Sequence, residues 1–194
     1  MSTIDKSRRS FVAGSGLAIA AMALPGSPLF AAQTPLMPTP ECTGNATRRQ
    51  SEGPFFTPNT PLRRDFRADD PGGAAFSLFG RVVDRDCRPL EKAMIELWHA
   101  DSRGEYDNQG YRMRGHQFSD ADGRFSFLTR VPGDYPGRTR HFHVTVISGS
   151  RSLTTQLYFP GFAGNSGDWI YRPELEMAMG KVEGVPGGAF TFVL

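Results

Sequence analysis

The segment Arg138-Thr139-Arg140-His141-Phe142-His143-Val144 alternates in side-chain character as a β-strand does. Because side chains two residues apart point to the same side of a strand, the imidazoles of His141 and His143 should share one face, about 7 Å apart along the chain. Histidine is the commonest protein metal ligand, and this placement suits two ligands of one ion. The segment therefore predicts a β-strand that carries a metal site.

A tyrosine precedes this strand in a turn rich in proline and glycine, Val131-Pro132-Gly133-Asp134-Tyr135-Pro136-Gly137-Arg138. The turn would hold the Tyr135 hydroxyl near the start of the strand, six residues before His141. Iron(III) favours anionic oxygen ligands beside imidazole nitrogens. The combination therefore indicates a ferric site.

Runs of β-branched and aromatic residues, with turn signals between them, fill most of the chain after residue 75. They predict strands at 76–83, 93–98, 124–128, 140–147, 154–159 and 189–193, and a candidate short helix at 173–179. Several short strands of this kind are typical of a β-sandwich, so the predicted fold class is all-β. Residues 33–75, rich in proline and charge, should form an irregular N-terminal arm on a sandwich domain at 76–194.

The first 32 residues have the features of an export signal. Ser7-Arg8-Arg9-Ser10-Phe11 is a twin-arginine pattern, Val12 to Leu24 is weakly apolar, and Phe30-Ala31-Ala32 suits cleavage. The apolar run is too short for a stable membrane span. We therefore expect the twin-arginine translocation machinery as a partner and a periplasmic or secreted protein. A basic, disordered N-terminus is the alternative.

The charge balance argues against nucleic acid as a partner. Without residues 1–32, which contain Lys6, Arg8, Arg9 and Asp5, the chain holds 19 basic and 19 acidic residues. It also has no basic stripe with interleaved aromatic residues, the pattern expected of a nucleic-acid surface.

Two cysteines, Cys42 and Cys87, follow the leader. An oxidising compartment would let them pair and close a loop of 45 residues, which would pin the arm to the first core strand. Two free buried thiols are the alternative.

Landmarks spread over residues 52–161 occur in the order and spacing of a known family. They are Glu52-Gly53-Pro54-Phe55-Phe56, Gly80-Arg81-Val82-Val83-Asp84, Leu97-Trp98-His99-Ala100-Asp101, Gly104-Glu105-Tyr106, Arg114-Gly115, Asp120-Ala121-Asp122-Gly123-Arg124-Phe125, Pro132 to Arg138, His141-Phe142-His143 and Leu153 to Phe159. With these motifs the chain resembles the intradiol ring-cleavage dioxygenases, the family of protocatechuate 3,4-dioxygenase and catechol 1,2-dioxygenase. The family fold is a β-sandwich, which agrees with the strand prediction.

The resemblance implies a non-haem Fe(III) held by two tyrosinates and two histidines, and the matching positions are Tyr106, Tyr135, His141 and His143. Tyr135 matches the axial tyrosinate that leaves with a substrate proton. Arg138 matches an arginine that stabilises negative charge on the substrate ring. Gln156 matches a glutamine near the same pocket.

The implied reaction is cleavage of a catechol-type ring by O2 between its two hydroxyl-bearing carbons, giving a muconate-type diacid in aromatic catabolism. Catechol, hydroxyquinol, protocatechuate and lignin-derived or halogenated catechols are equal alternatives as the substrate. Asp134, Arg140 and Phe142 depart from the family pattern beside the matched ligands and could change the substrate charge preference or the iron potential. The chain resembles the small, exported members of the family. The sequence does not distinguish a monomer from an oligomer.

Other histidines and tyrosines are weaker candidates for the site. His99 is expected to anchor a loop by hydrogen bonds, whereas His116 could reach the pocket rim. Three tyrosines could replace Tyr106 as a ligand if the loop geometry differs: Tyr111, Tyr158 and Tyr171.

Two other function classes stay open. Turn and strand residues such as Gly80 to Asp84 and Asp122 to Phe127 equally fit a metal-free β-sandwich binding module of the transthyretin-like or carboxypeptidase-regulatory kind. That module does not account for Tyr135, Arg138 and the two histidines together. A zinc hydrolase would use the two histidines with an acid, but no third ligand with suitable spacing is present.

Overall fold

The computed structural model describes residues 38–194, in which two four-stranded β-sheets enclose one hydrophobic core. The strands are β1 Ala75–Val83, β2 Met94–Trp98, β3 Arg114–Phe118, β4 Arg124–Arg130, β5 His141–Ser148, β6 Arg151–Tyr158, β7 Ala178–Val182 and β8 Val185–Val193. One sheet has the strand order β4-β1-β8-β7 and the other β3-β2-β5-β6. Short 3-10 turns occur at Arg67–Asp69, Ala163–Gly167 and Pro173–Leu175. The predicted β-sandwich is confirmed.

Alternation along the strands builds the core. On β5, Phe142 and Val144 are fully buried, and Phe142 contacts Phe76 of β1 in the other sheet with ring centroids 5.5 Å apart. Because every second side chain points the other way, the two histidines of β5 lie on the opposite face of their sheet from this core. Removing apolar surface from water is the main stabilising term of such a core, at about 25 cal/mol per Å².

The register of the central strand determines what surrounds the two histidines. His143 lies opposite Trp98 of β2 on one side and Gln156 of β6 on the other. His141 lies opposite Tyr158 of β6. Residues directly opposite each other share a face, so these five side chains form one patch on the outer face of the sheet.

The two strands that the sequence did not predict are β3 and β7. Most of β3 is polar, and it forms because its backbone pairs with β2 and also with residues 61–63. The candidate helix at 173–179 is wrong: only Pro173–Leu175 makes a 3-10 turn, and β7 begins at Ala178. β7 returns into β8 through Glu183 and Gly184, whose φ values of 50° and 81° fit a two-residue hairpin turn.

The N-terminal part of the described chain, residues 38–74, holds no β-strand longer than an isolated bridge. The predicted disulfide is present and joins Cys42 to Cys87, just after β1. Further along, the amide of Gln50 donates to the Thr154 carbonyl on β6 at 2.9 Å, which brings the chain onto the patch described above. The twin-arginine motif and the cleavage stretch lie outside the described residues.

Within residues 38–194 no helix is long and apolar enough to cross a membrane.

Candidate metal centre

His141 and His143 point their imidazoles toward each other on the outer face of β5. Their ring centroids are 4.7 Å apart and the two Nε2 atoms are separated by 3.0 Å. Both side chains are buried, with exposed fractions of 2% and 1%. The strand alternation read from the sequence therefore brings two buried imidazole nitrogens to one point.

The surroundings keep both imidazoles neutral. Burial, and then the charge of Arg138, lower the pKa of His141 to about 4. Burial and the neighbouring His141 hold the pKa of His143 well below its ordinary value. The Nδ1 of His141 donates to the Thr139 carbonyl at 2.7 Å, which leaves the lone pair on Nε2, the atom that faces His143.

Tyr106 reaches this point from the loop after β2. Asp101 organises the loop, because its buried carboxylate accepts from the amides of Arg103 at 2.9 Å and Glu105 at 3.1 Å. Gly104 has φ +84°, and a Cβ there would lie 2.1 Å from the Asp134 carbonyl oxygen, so this loop packs directly on the one that carries Tyr135. The Tyr106 hydroxyl lies 3.4 Å from the His141 Nε2.

Tyr135 and Arg138 are the first and last residues of a tight turn. The Arg138 amide donates to the Tyr135 carbonyl at 3.1 Å, with Pro136 second and Gly137 third at φ +79°. Proline and a positive-φ glycine at those positions are the signature of a type II turn. The turn sets the two side chains side by side, and the Arg138 Nη1 donates to the Tyr135 hydroxyl at 3.1 Å.

Arg138 is held from two further sides. Its Nη2 donates to the Gln156 Oε1 at 2.5 Å, and its Nε donates to the Asp168 Oδ2 at 2.8 Å. Asp168 also accepts from the amides of Thr139 at 3.0 Å and Ile170 at 2.9 Å. Burial opposes ionisation of Asp168, but these donors outweigh it and lower the pKa of the carboxyl.

Asp168 is an acidic residue at this site that the sequence analysis missed. It lies after the last recognisable landmark, in a 3-10 turn region with no periodicity. The local signal was weak: a single acid in Gly164-Asn165-Ser166-Gly167-Asp168 also reads as a solvated turn. Only the fold shows that its side chain is buried against Arg138.

Residues 50–56, which we call the strap, cover the histidines. The Gln156 side-chain amide donates to the Ser51 carbonyl at 3.0 Å. Gly53 has φ +72°, and a Cβ there would come within 3.2 Å of the His143 ring. The Phe55 ring stacks on Tyr106 with centroids 4.4 Å apart. The strap therefore closes over the site with glycine at the point of closest approach.

The other histidines and tyrosines named as weaker candidates either lie away from the paired imidazoles or already have hydrogen-bond partners within the chain. Both nitrogens of His99 bond within the chain, to the Ala100 carbonyl and the Thr129 hydroxyl, each at 2.7 Å. The Nδ1 of His116 lies 3.3 Å from the Thr60 hydroxyl. The hydroxyls of the three remaining tyrosines bond to other chain groups. Tyr111 donates to the Pro58 carbonyl and Tyr171 to Glu176, and Tyr158 has the Oε1 of Gln50 and of Gln156 within reach for its one proton.

The charged departures from the family pattern neutralise each other. The Arg140 Nε donates to the Asp134 Oδ1 at 2.7 Å, and the Arg140 guanidinium also lies 4.6 Å from the centre of the Phe162 ring. The third departure, Phe142, is fully buried in the core. The Phe142 ring is therefore part of the core packing and does not face His141 or His143.

The donor set fits a ferric ion. Two nitrogens about 2.1 Å from one first-row metal ion, at right angles to each other, are about 3.0 Å apart, which is the separation of the two Nε2 atoms. Burial raises the pKa of Tyr106 and of Tyr135, so the two phenols ionise only beside a strong cation. Within residues 38–194 no three His, Cys, Asp or Glu side chains could hold a metal together, so the zinc-hydrolase hypothesis gains no third ligand.

Sequence comparison places the chain among dioxygenases. The family model described as Dioxygenase matches residues 51–171. Catechol 1,2-dioxygenase of Acinetobacter baylyi is 28% identical over 169 residues, which cover 72% of this chain and 54% of that protein. The protocatechuate 3,4-dioxygenase beta chain of Burkholderia cepacia is 33% identical over 133 residues, covering 58% and 56%. The chain spans about half the length of these curated relatives.

Comparison with solved structures also finds dioxygenases. The dioxygenase domain of a dioxygenase and carbohydrate-binding protein fusion from Streptomyces sp. SirexAA-E is 43% identical, with a TM-score of 0.74 over 77% of this chain and 98% of that one. The 3-chlorocatechol 1,2-dioxygenase of Rhodococcus opacus 1CP is 29% identical, with a TM-score of 0.68 over 76% and 71%. These matches do not favour a metal-free binding module. The chain belongs to the intradiol ring-cleavage dioxygenase family.

Proposed function

We propose that this chain is an Fe(III)-dependent enzyme that opens a catechol-type ring with O2 between the two hydroxyl-bearing carbons and releases a muconate-type diacid. The observation that carries the proposal is the meeting of two neutral imidazole Nε2 atoms and the Tyr106 hydroxyl, with Tyr135 beside them on the Arg138 turn. Bound iron(III) would supply the electron-accepting centre that lets the ring react directly with O2. The protein supplies its four ligands and the groups around the substrate.

His141, His143 and the two tyrosines would hold the ion, and the two phenolates would neutralise much of its charge. The hydrogen bond from His141 to the Thr139 carbonyl fixes the ring orientation and the tautomer, as outer partners of metal-bound histidines generally do. The parallel stacking of Trp98 on His143, at 5.0 Å, restricts the second ring in a similar way.

Tyr135 would accept a proton from a substrate hydroxyl at its own phenolate oxygen. It lies on the turn that ends at Arg138, and no ring of residues 38–194 stacks parallel to it, in contrast to Tyr106, which stacks on Phe55. The Arg138 donor at 3.1 Å stabilises negative charge on the Tyr135 oxygen before that proton arrives. Tyr106 would remain the permanent phenolate ligand.

Arg138 would also stabilise negative charge on the substrate ring. Its guanidinium is almost buried, and Asp168 and Gln156 fix its plane, so little reorganisation is needed when charge develops nearby. The strap adds a second effect, because Gly53 and Phe55 cover His143 and Tyr106 and exclude water from them.

We also propose export by the twin-arginine route to the periplasm or beyond. The motif Ser7 to Phe11 supports this, and the disulfide between Cys42 and Cys87 suits an oxidising compartment. The partners would then be the translocation machinery, a small aromatic diol and O2.

The test is a visible absorption spectrum of the purified protein before and after anaerobic addition of catechol, followed by O2 and identification of the product. We expect a broad tyrosinate-to-iron(III) band that shifts with catechol, and a muconate-type diacid after O2. A protein that stays colourless after ferric reconstitution would overturn the proposal. So would a product cleaved beside the diol and not between its hydroxyl carbons.

A further inference from the structure

Arg114, the first residue of β3, is a buried arginine that makes no ion pair in the described chain. Its exposed fraction is 1%, and none of the ion pairs among residues 38–194 includes it. Burying a cation that no carboxylate contacts directly is unfavourable, and the more distant Asp107 and Glu96 offset only part of that cost. The position therefore calls for an explanation beyond packing.

The donors of Arg114 all go to backbone carbonyls of two separate segments. Nε and Nη2 both donate to the Asp107 carbonyl, at 3.1 and 2.7 Å, and Nη1 donates to the Phe55 carbonyl at 2.6 Å. Asp107 follows Tyr106 in the chain, and Phe55 belongs to the strap. One planar guanidinium thus ties the Tyr106 loop to the strap.

One ring neighbour of Tyr106 and the residue after it in the chain are therefore anchored on the same side chain. Phe55 stacks on the ring with an interplanar angle of 17°, and Asp107 continues its backbone. The strand that carries Arg114 is itself fixed, because Arg114 lies opposite Trp98, the residue stacked on His143. The pair of strands β2 and β3 therefore supports both Tyr106, through Arg114, and His143, through Trp98.

We propose that Arg114 is a positioning residue for the reaction, which holds the Tyr106 hydroxyl at the paired imidazoles and keeps the strap closed over it. This inference rests on the proposed function. A lysine cannot replace it, because a single ammonium lacks the rigid fork that reaches both carbonyls. Arg114 is not one of the four matched ligands and would act through the Asp107 and Phe55 carbonyls that it holds.

The experiment compares Arg114→Met and Arg114→Lys with the wild-type full chain, and with Arg130→Met as a matched control. Arg130 also lacks an ion pair among residues 38–194 and donates to a backbone carbonyl, that of Arg67, but it lies on β4 in the other sheet. Three quantities are measured: iron affinity, the energy of the tyrosinate-to-iron band, and amide hydrogen exchange of residues 50–56 and 105–110 in metal-free protein.

We expect both Arg114 variants to lose about 10- to 100-fold in iron affinity, to shift the band, and to exchange faster in both segments together, while Arg130→Met matches wild type. Wild-type band energy and unchanged exchange in Arg114→Lys would overturn the proposal. If Arg114→Met does not fold, Arg114→Lys decides alone, since it keeps the charge and removes only the fork. If wild type itself never binds iron, the proposed function fails, and exchange in the metal-free variants still decides the role of Arg114.

Discussion

Buried histidines occur in two regions of this molecule, and they use their nitrogens in opposite ways. At the end of β2, His99 is 1% exposed and both of its nitrogens bond to groups of the chain, at 2.7 Å each. On β5, His141 has one nitrogen bonded to the chain, and its other nitrogen faces His143 at 3.0 Å. The Nδ1 of His143 has no partner among the described residues.

The comparison teaches that burial does not distinguish a structural histidine from a ligand. Burial lowers the pKa of His99 to about 4 and that of His141 to the same value, so both imidazoles are neutral at pH 7. The difference is the number of lone pairs left after the chain has made its own hydrogen bonds. His99 has none left, whereas both Nε2 atoms of the β5 pair lie at one place, where they meet each other and the Tyr106 hydroxyl.

The strongest test of this comparison is His143→Asn. Removing one of the two facing nitrogens should reduce iron affinity by more than the roughly 10- to 100-fold that follows loss of an outer hydrogen-bond partner, because a ligand itself is lost. Turnover should fall below detection with it. Iron content after dialysis, measured by atomic absorption, checks the prediction.

His99→Gln is the matched control, since glutamine can still donate to Ala100 and accept from Thr129. It should retain iron at the wild-type level. If His99→Gln lost iron as fully as His143→Asn, the distinction between the two regions would be wrong.

Next in size is the effect of Arg138, which lies beside the β5 pair and donates to the Tyr135 hydroxyl. Arg138→Ala should keep iron but slow turnover by about 10²- to 10³-fold, because charge on the ring loses its fixed donor. Steady-state kinetics and iron content measured on the same preparation check this. Wild-type turnover in Arg138→Ala would remove the residue from the mechanism.

Much of this centre could be predicted from the sequence, and the reasons differ from residue to residue. His141 and His143 follow from strand alternation alone, since a period of two fixes their common face. Tyr135 and Arg138 follow from a turn whose proline and glycine define its type. Tyr106 lies 35 residues from His141, and only the family resemblance pointed to it, because no local rule links a loop residue to a distant strand.

What could not be predicted depends on tertiary contacts. Asp168 sits in an irregular segment, and its role exists only because that segment folds back on Arg138. β3 is mostly polar and gains its pairing from β2, while β7 is specified by the hairpin turn into β8. The predicted helix failed at Leu175 and Met177, which are both buried and two residues apart, a strand spacing.

A smaller effect concerns pH and the His99 region. Unfolded His99 takes up a proton near pH 6.5, but the folded protein resists this until about pH 4. Between these values the unfolded state binds more protons, so the free energy of unfolding should fall as pH drops, by about 3 kcal/mol in total from this one residue. Denaturant titrations at pH 7 and pH 4.5 check the slope.

The matched comparison is again His99→Gln, which has no titrating group at this position and should show a shallower loss of stability over the same interval. Iron-loaded protein should be used for both, so that the β5 imidazoles are held by the metal and contribute less to the slope. Equal slopes in the two proteins would contradict the assignment of His99 as a buried neutral residue.

The smallest expected effect is that of replacing His116, which belongs to neither of the two histidine regions. His116 on β3 is only partly buried, and its single side-chain hydrogen bond runs to Thr60, which keeps its own bond to Glu96 at 2.7 Å if the imidazole is removed. His116→Ala should therefore cost about 1 kcal/mol of unfolding free energy, the net value of one ordinary hydrogen bond, and leave iron content and the absorption band unchanged. Because His116 shares its sheet face with His143, a loss of iron in His116→Ala would show that the centre extends further across the sheet than the two facing nitrogens indicate.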